Sequence, residues 1–279
     1  MALAIVRKLG ILKHMNRVGL AAAVVLAIAL VTSAPAQAQT KKITFTSQDG
    51  LPVTADLYLA HKDLRTPFVV LFHQAGWSRG EYREIAPRLN LLGFNALAVD
   101  QRSGGSVKGV TNETHYRAKK QNRGTSYVDA YQDMVAAVRY ARSHYVKGKL
   151  VVWGSSYSAA LVIKLAGDHP DLVDGVVSFS PGEYFSRFGK PSTWIRSSAA
   201  KIHKPVFVTS GKHETGRWTD IFVAIPSKSK IAFVPSTKGN HGSRALWSKF
   251  SDSKAYWQAV TTFLNTHFAP ATRLVKTLN

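Results

Sequence analysis

The 279-residue chain contains no cysteine. That excludes disulfides, thiolate metal sites, a cysteine nucleophile and a lipid-modified cysteine at a mature N-terminus. Acidic residues are scarce: 16 Asp and Glu stand against 37 Lys and Arg, a formal charge of +21. Such a surface suits an anionic partner: nucleic acid, anionic lipid or an acidic envelope polymer. The cations are scattered, however, and no helix-turn-helix, zinc-finger or aromatic RNA-binding signature accompanies them. The expectation is a solvated basic surface, no nucleic-acid partner, and at most weak electrostatic association with anionic envelope components. No internal repeat is visible. Apolar residues make up 45% of the chain, enough for a sizeable core.

The N-terminal segment has its own pattern. Arg7, Lys8, Lys13 and Arg17 precede an apolar run over residues 18–31. Ala34, Ala36 and Ala38 then offer small residues at the −3 and −1 positions of a cleavage site. This predicts a secretory signal peptide over residues 1–38, cleaved after Ala38 or alternatively Ala36, and a periplasmic or secreted product. The apolar run is short for a membrane-spanning helix, which leaves an uncleaved anchor as the lesser alternative. Residues 39–279 remain as a single domain carrying about +17.

Within that domain, residues 42–46 and 51–59 alternate polar and apolar across the turn at Gln48-Asp49-Gly50, which predicts a hairpin. Residues 68–72, 93–100 and 149–153 are nearly continuous apolar runs, as strands buried on both faces of a parallel sheet are. Further strands are predicted over 172–179, 205–209 and 231–234. Helical spacing marks 82–92, 126–144, 158–166 and 253–267. Residues 106–124 are polar with no clear period and read as a long loop, functional or mobile. Residues 183–201 read as irregular with a possible short helix. Strands alternating with helices after an antiparallel start predict an α/β fold, a mostly parallel sheet with helices on both faces. Ligands on such sheets bind at the carboxyl ends of the strands, where His73, Asp100, Ser156, Glu214 and His241 all fall.

Ser156 lies in Gly154-Ser155-Ser156-Tyr157-Ser158, between a buried strand and a helix. The sharp turn that exposes a nucleophilic serine needs small residues two before and two after it. Gly154 meets this fully and Ser158 meets it with a small side chain. A serine alcohol is a weak nucleophile and needs a base. His241 follows the last predicted strand on a loop between Gly239 and Gly242, whereas His169, His203 and His267 fall in helix ends or linkers. Glu214 follows the strand before that one and is the candidate acid, with Asp220 as the alternative. Their order, Ser then acid then His, is the one such an elbow requires. Backbone N–H groups are needed where negative charge develops. Tyr157 supplies one, and the loop after residues 68–72 the other, through Ala75 or next Gln74. His73 reads as a structural histidine pinning that loop. Trp77, Tyr82, Trp194 and Trp218 are candidate pocket aromatics.

These segments, together with His73 to Gly76, Gly80-Glu81-Tyr82, Asp100 to Gly105 and Gly211 to Glu214, resemble the α/β-hydrolase superfamily. Within it the chain is similar to the secreted bacterial dienelactone-hydrolase-like group, over residues 41 to about 268. The resemblance implies an eight-stranded sheet, no cofactor or metal, and acyl transfer to water with Ser156 as nucleophile, Glu214 as acid and His241 as base. Dienelactone hydrolases themselves use a cysteine, which this chain lacks. Residues 180–203 are too short for a large lid domain. A small-molecule carboxylic ester is the expected substrate. The rival readings are a peptidase of the prolyl-oligopeptidase type, and a non-catalytic envelope-binding module on the same fold.

Overall fold

The computed structural model describes residues 39–269, which belong to one compact unit. The expected signal peptide lies outside the described residues. In chain order the strands are β1 (Gln39–Thr46), β2 (Pro52–Leu59), β3 (Phe68–Phe72), β4 (Asn95–Val99), the two-residue pair β5 (Ser106–Val107) and β6 (Val110–Thr111), β7 (Leu150–Ser155), β8 (Gly175–Phe179), β9 (Val206–Thr209) and β10 (Lys230–Phe233). The α-helices are α1 (Ile85–Leu91), α2 (Glu113–Lys120), α3 (Ala130–His144), α4 (Tyr157–Asp168), α5 (Trp194–Ala199), α6 (Thr219–Ala224) and α7 (Ser253–Phe268).

Eight strands form one sheet in the order β1-β2-β4-β3-β7-β8-β9-β10. β2 runs against both of its neighbours, and the pairs from β4 to β10 are parallel. The fold is therefore the predicted one, α/β with an antiparallel N-terminal hairpin. β3, β4, β7 and β8 are buried along their whole length, which is why they carry continuous apolar runs. Alternate residues of β3 point to opposite faces: Phe68, Val70 and Phe72 pack with α3 and α4, Val69 and Leu71 with α1 and α7. No helix among the described residues is long and apolar enough to cross a membrane.

Register places the site. Phe72 pairs with Val99 and Gly154, Ser155 with Phe179, Phe179 with Thr209, and Thr209 with Phe233. The strands thus end in one row, and the chain leaves that row at Gln74, Asp100, Ser156, Ser180, Gly211 and the segment leading to His241.

One expectation needs correction. Residues 106–124 are not a plain loop: they hold the β5–β6 ribbon and α2. Asn112 caps α2, its Oδ1 accepting the His115 N–H at 2.8 Å. Only Thr114 and Ala118 are buried on α2, too small a face to leave a periodic signal. Residues 183–201 contain a 3-10 turn at Ser186–Phe188 and the short helix α5. The space between β8 and β9 holds no large lid.

Candidate active site

The elbow is built by close approach. β7 ends at Ser155 and α4 starts at Tyr157, so Ser156 alone makes the turn, with φ 60° and ψ −122°. A non-glycine residue with positive φ is strained and persists only where its surroundings hold it. Here the Ser156 N–H donates to Phe179 O at 2.8 Å, and its carbonyl accepts the Ala159 N–H at 2.9 Å. Gly154 is required because a Cβ there would lie 2.3 Å from Ser158 O and 2.6 Å from Ala159 N. Ser158, at the second small position, is fully buried and useful as a serine. Its Oγ donates to His73 O and accepts from Gln101 Nε2, both at 2.6 Å.

Three side chains from distant loops meet at this elbow. His241 Nε2 accepts from Ser156 Oγ at 2.8 Å, and His241 Nδ1 donates to Glu214 Oε1 at 2.5 Å. Glu214 Oε2 accepts from Ser180 Oγ at 2.8 Å and from the Gly211 N–H at 3.1 Å. Burial opposes ionisation of Glu214, but the bond and charge of His241, with Ser180 and Gly211, outweigh it and hold the carboxyl down at about 2. The His241 loop is fixed from behind by the Gly242 N–H donating to Ser180 Oγ at 2.9 Å. Gly242 has φ 70°, and a Cβ there would lie 2.5 Å from Ser155 Oγ. Asp220 is not part of this group. Its side chain is 81% exposed and pairs with Arg196 at 3.3 Å.

The N–H of Tyr157 opens α4 with no protein acceptor among the described residues, and the same holds for Ala75 in the loop after β3. Gln74 is excluded as a donor to substrate: its N–H donates to Glu81 Oε2 at 2.8 Å. His73 is fully buried. Asn112 Nδ2 donates to its Nε2 at 3.1 Å, so its Nδ1 carries the proton and donates to Gln74 O at 2.8 Å. Burial pushes His73 down to about 4, which keeps it neutral and structural. Asp100 is likewise taken: it accepts the Arg79 N–H at 2.7 Å and pairs with the Arg79 guanidinium at 2.5 Å. Burial pushes Asp100 up to about 6 against the pull of Arg79.

Of the aromatic candidates, Tyr82 and Trp218 are core residues, with their polar atoms on Phe72 O and Ser210 Oγ. Trp77 stacks on Trp247 at 5.3 Å, and Trp194 packs on Phe185 at 4.9 Å. Beside the elbow, half-buried Tyr127 stacks on fully buried Tyr157 at 4.3 Å, and Arg187 lies 4.7 Å over Tyr127. Sequence reading gave no role to Ser180, which ties Glu214 to the His241 loop, or to Glu81, which holds Gln74 and Ser155. Neither carries a local signal: Glu81 sits in the polar run Ser78-Arg79-Gly80-Glu81-Tyr82-Arg83-Glu84, and Ser180 precedes an ordinary Pro-Gly turn.

Comparison with known proteins agrees with this architecture. The family model described as serine aminopeptidase, S33, matches residues 65–215, just over half of the chain. The match includes Ser156 and Glu214 and stops before His241. The chain therefore belongs to the serine aminopeptidase S33 family and is an enzyme of the α/β-hydrolase superfamily. No curated protein matches it in sequence. Among solved structures it is similar to an esterase of Pyrococcus furiosus, at 18% identity and a TM-score of 0.64, over 83% of this chain and 93% of that one. It is also similar to a dienelactone hydrolase of Anabaena variabilis, at 16% identity and a TM-score of 0.65, over 83% of this chain and 99% of that one. A third is Est1E of Butyrivibrio proteoclasticus, solved with ferulic acid, at 14% identity and a TM-score of 0.62, over 82% and 100%. At these identities the likeness speaks for the fold.

Proposed function

We propose that this serine hydrolase cleaves small carboxylic esters through an acyl-enzyme on Ser156, and that residues 1–38 export it to the periplasm or beyond. The observation that carries the catalytic reading is the continuous hydrogen-bonded chain from Glu214 through His241 to Ser156 Oγ. Glu214 fixes the imidazole with its proton on Nδ1, which leaves Nε2 free to take the serine proton. As it does so, Oγ bonds to the substrate carbonyl carbon, and the carbonyl oxygen becomes negative between the N–H groups of Ala75 and Tyr157. The ester C–O bond then breaks, and the alcohol leaves with the proton from His241. Water repeats the sequence: His241 takes its proton, the hydroxide adds to the acyl carbon, and the acid departs as Ser156 recovers its hydrogen. Export rests on the charged, apolar and small-residue order of residues 1–38, and the N-terminus of the exported chain checks it.

A second reading, a peptidase, is favoured by the family description, serine aminopeptidase. An aminopeptidase must hold a free α-ammonium group, which calls for an available carboxylate. On the loops after β8, β9 and β10 every acid is engaged. Glu183 accepts the N–H groups of Ile195 and Arg196, Asp252 accepts from Thr237 and Asn240, Asp220 pairs with Arg196, and Glu214 holds His241. The same loops expose Arg187, Lys212, Arg217 and Lys238. That charge pattern favours neutral or anionic esters over aminoacyl substrates. Initial rates on 4-nitrophenyl acyl esters and aminoacyl 4-nitroanilides separate the two. We expect kcat/KM on the esters to be higher by roughly a hundredfold or more. A preference for the anilides would replace this reading with the peptidase.

A further inference from the structure

Glu81 lies in the 3-10 turn between β3 and α1 and has no accessible surface. It hydrogen-bonds to neither Ser156 nor His241, yet its bonds reach the loops on which the proposed chemistry depends. Its Oε2 accepts the Gln74 N–H at 2.8 Å, in the loop that presents Ala75. Its Oε1 accepts from Ser155 Oγ at 2.7 Å, one residue before the nucleophile. Ser155 Oγ in turn accepts the Ser243 N–H at 2.8 Å, two residues after His241. The turn that carries Glu81 is itself fixed, since Trp247 Nε1 donates to Glu81 O at 3.0 Å and Tyr82 Oη donates to Phe72 O at 2.7 Å.

We infer that Glu81 is a positioning residue of the hydrolase: its carboxylate draws the Gln74 N–H inward, so that the Ala75 N–H faces the reacting centre, and ties that loop to the elbow and to the His241 loop. The inference rests on the catalytic reading above. A buried carboxylate is costly unless its oxygens are satisfied, and here both accept a donor from the site's own loops. A glutamine of the same shape has one oxygen and one NH2 group. It can accept from Gln74 N–H only by turning its NH2 towards Ser155, whose hydroxyl must then accept that group beside the Ser243 N–H and turn its own proton away, so the charged bond to Ser155 is lost. The groups facing Glu81 are the Gln74 N–H on the β3 loop, Ser155 at the end of β7, Tyr82 beside it, and Ser243 and Arg244 after His241. Among them only Arg244 is cationic. Burial pushes Glu81 up to about 7, and the bonds from Ser155 and Gln74 and the charge of Arg244 resist that push. Protonation of Glu81 leaves one acceptor fewer for these two donors, so the ties weaken as pH falls.

The test is steady-state kinetics of the full-length protein on a short-chain 4-nitrophenyl ester, for wild type, Glu81→Gln, Glu81→Asp and Ser156→Ala. Glu81→Gln should lower kcat by roughly tenfold to a hundredfold with KM within about threefold, because a loosened transition-state geometry acts on kcat. The acid limb of its kcat profile against pH should also involve one proton fewer than that of the wild type. Glu81→Asp, which keeps the charge, should recover part of the rate. Wild-type kcat and an unchanged pH profile in Glu81→Gln, or a rise in KM alone, would overturn the inference. Activity surviving in Ser156→Ala would instead sink the catalytic reading beneath it. If Glu81→Gln does not fold, Ser155→Ala decides: it cuts the elbow from Glu81 and leaves the Gln74 tie, and kcat should fall about tenfold or more. A wild-type rate in Ser155→Ala counts against the proposal.

Discussion

Glu214 is a carboxylate held ionised in a place that penalises ionisation. It is 4% exposed, and what offsets its burial is the set of donors around it, His241 Nδ1, Ser180 Oγ and the Gly211 N–H. Replacement by glutamine keeps the shape and removes the charge. It also lets the imidazole adopt the other tautomer, with its proton on Nε2, facing Ser156. We expect Glu214→Gln to lower kcat by about a hundredfold to ten-thousandfold with little change in KM. The substitution should also change acid stability. The folded carboxyl sits at about 2 against an ordinary 4.5. Its stabilising contribution is therefore present above about 4.5 and is lost as pH falls towards 2. Denaturant unfolding across that range should show a shallower pH dependence in Glu214→Gln than in the wild type. An equal slope in both would mean that the donors around Glu214 do not hold it down.

The elbow between β7 and α4 shows how an element can be legible while its support is not. The apolar strand, the Gly154–Ser158 spacing and the helix after it could all be read in the sequence. So could the order of Ser156, Glu214 and His241, because each follows a strand recognisable by composition. What could not be read was the contact that makes Gly154 obligatory, since it is made by the backbone of Ser158 and Ala159. That packing carries a prediction. Gly154→Ala should force α4 away from β7 and destabilise the fold by about 3 kcal/mol, as overpacking at a backbone contact does. A thermal melt checks it, and a melting temperature within a degree of the wild type would show that the elbow can yield. The elements missed were the short or polar ones. α2 buries only two small side chains, and α6, of six residues, is too short to display a helical period.

Across the molecule, the sheet brings together residues that the sequence spreads from Gln74 to Ser243. The register of the parallel strands ends them in one row, and a site grows at that edge because six loops leave it side by side. The strand ends were legible. The ties among the loops, from Ser180 to Glu214 and Gly242 and from Glu81 to Gln74 and Ser155, were not. They join residues 7 to 74 positions apart through side chains whose types are common and carry no local pattern. The excess of positive charge was plain from composition. That four of the exposed cations, Arg187, Lys212, Arg217 and Lys238, fall on the loops after β8, β9 and β10 needed the structure. All of these features converge on one atom, Ser156 Oγ. The most direct measurement is labelling of the purified protein with a fluorophosphonate probe, followed by mass spectrometry of the modified peptide. A single adduct on Ser156 is expected in the wild type, with no adduct in Ser156→Ala and loss of ester hydrolysis with it. Equal labelling of both proteins, or an adduct on another serine, would contradict it.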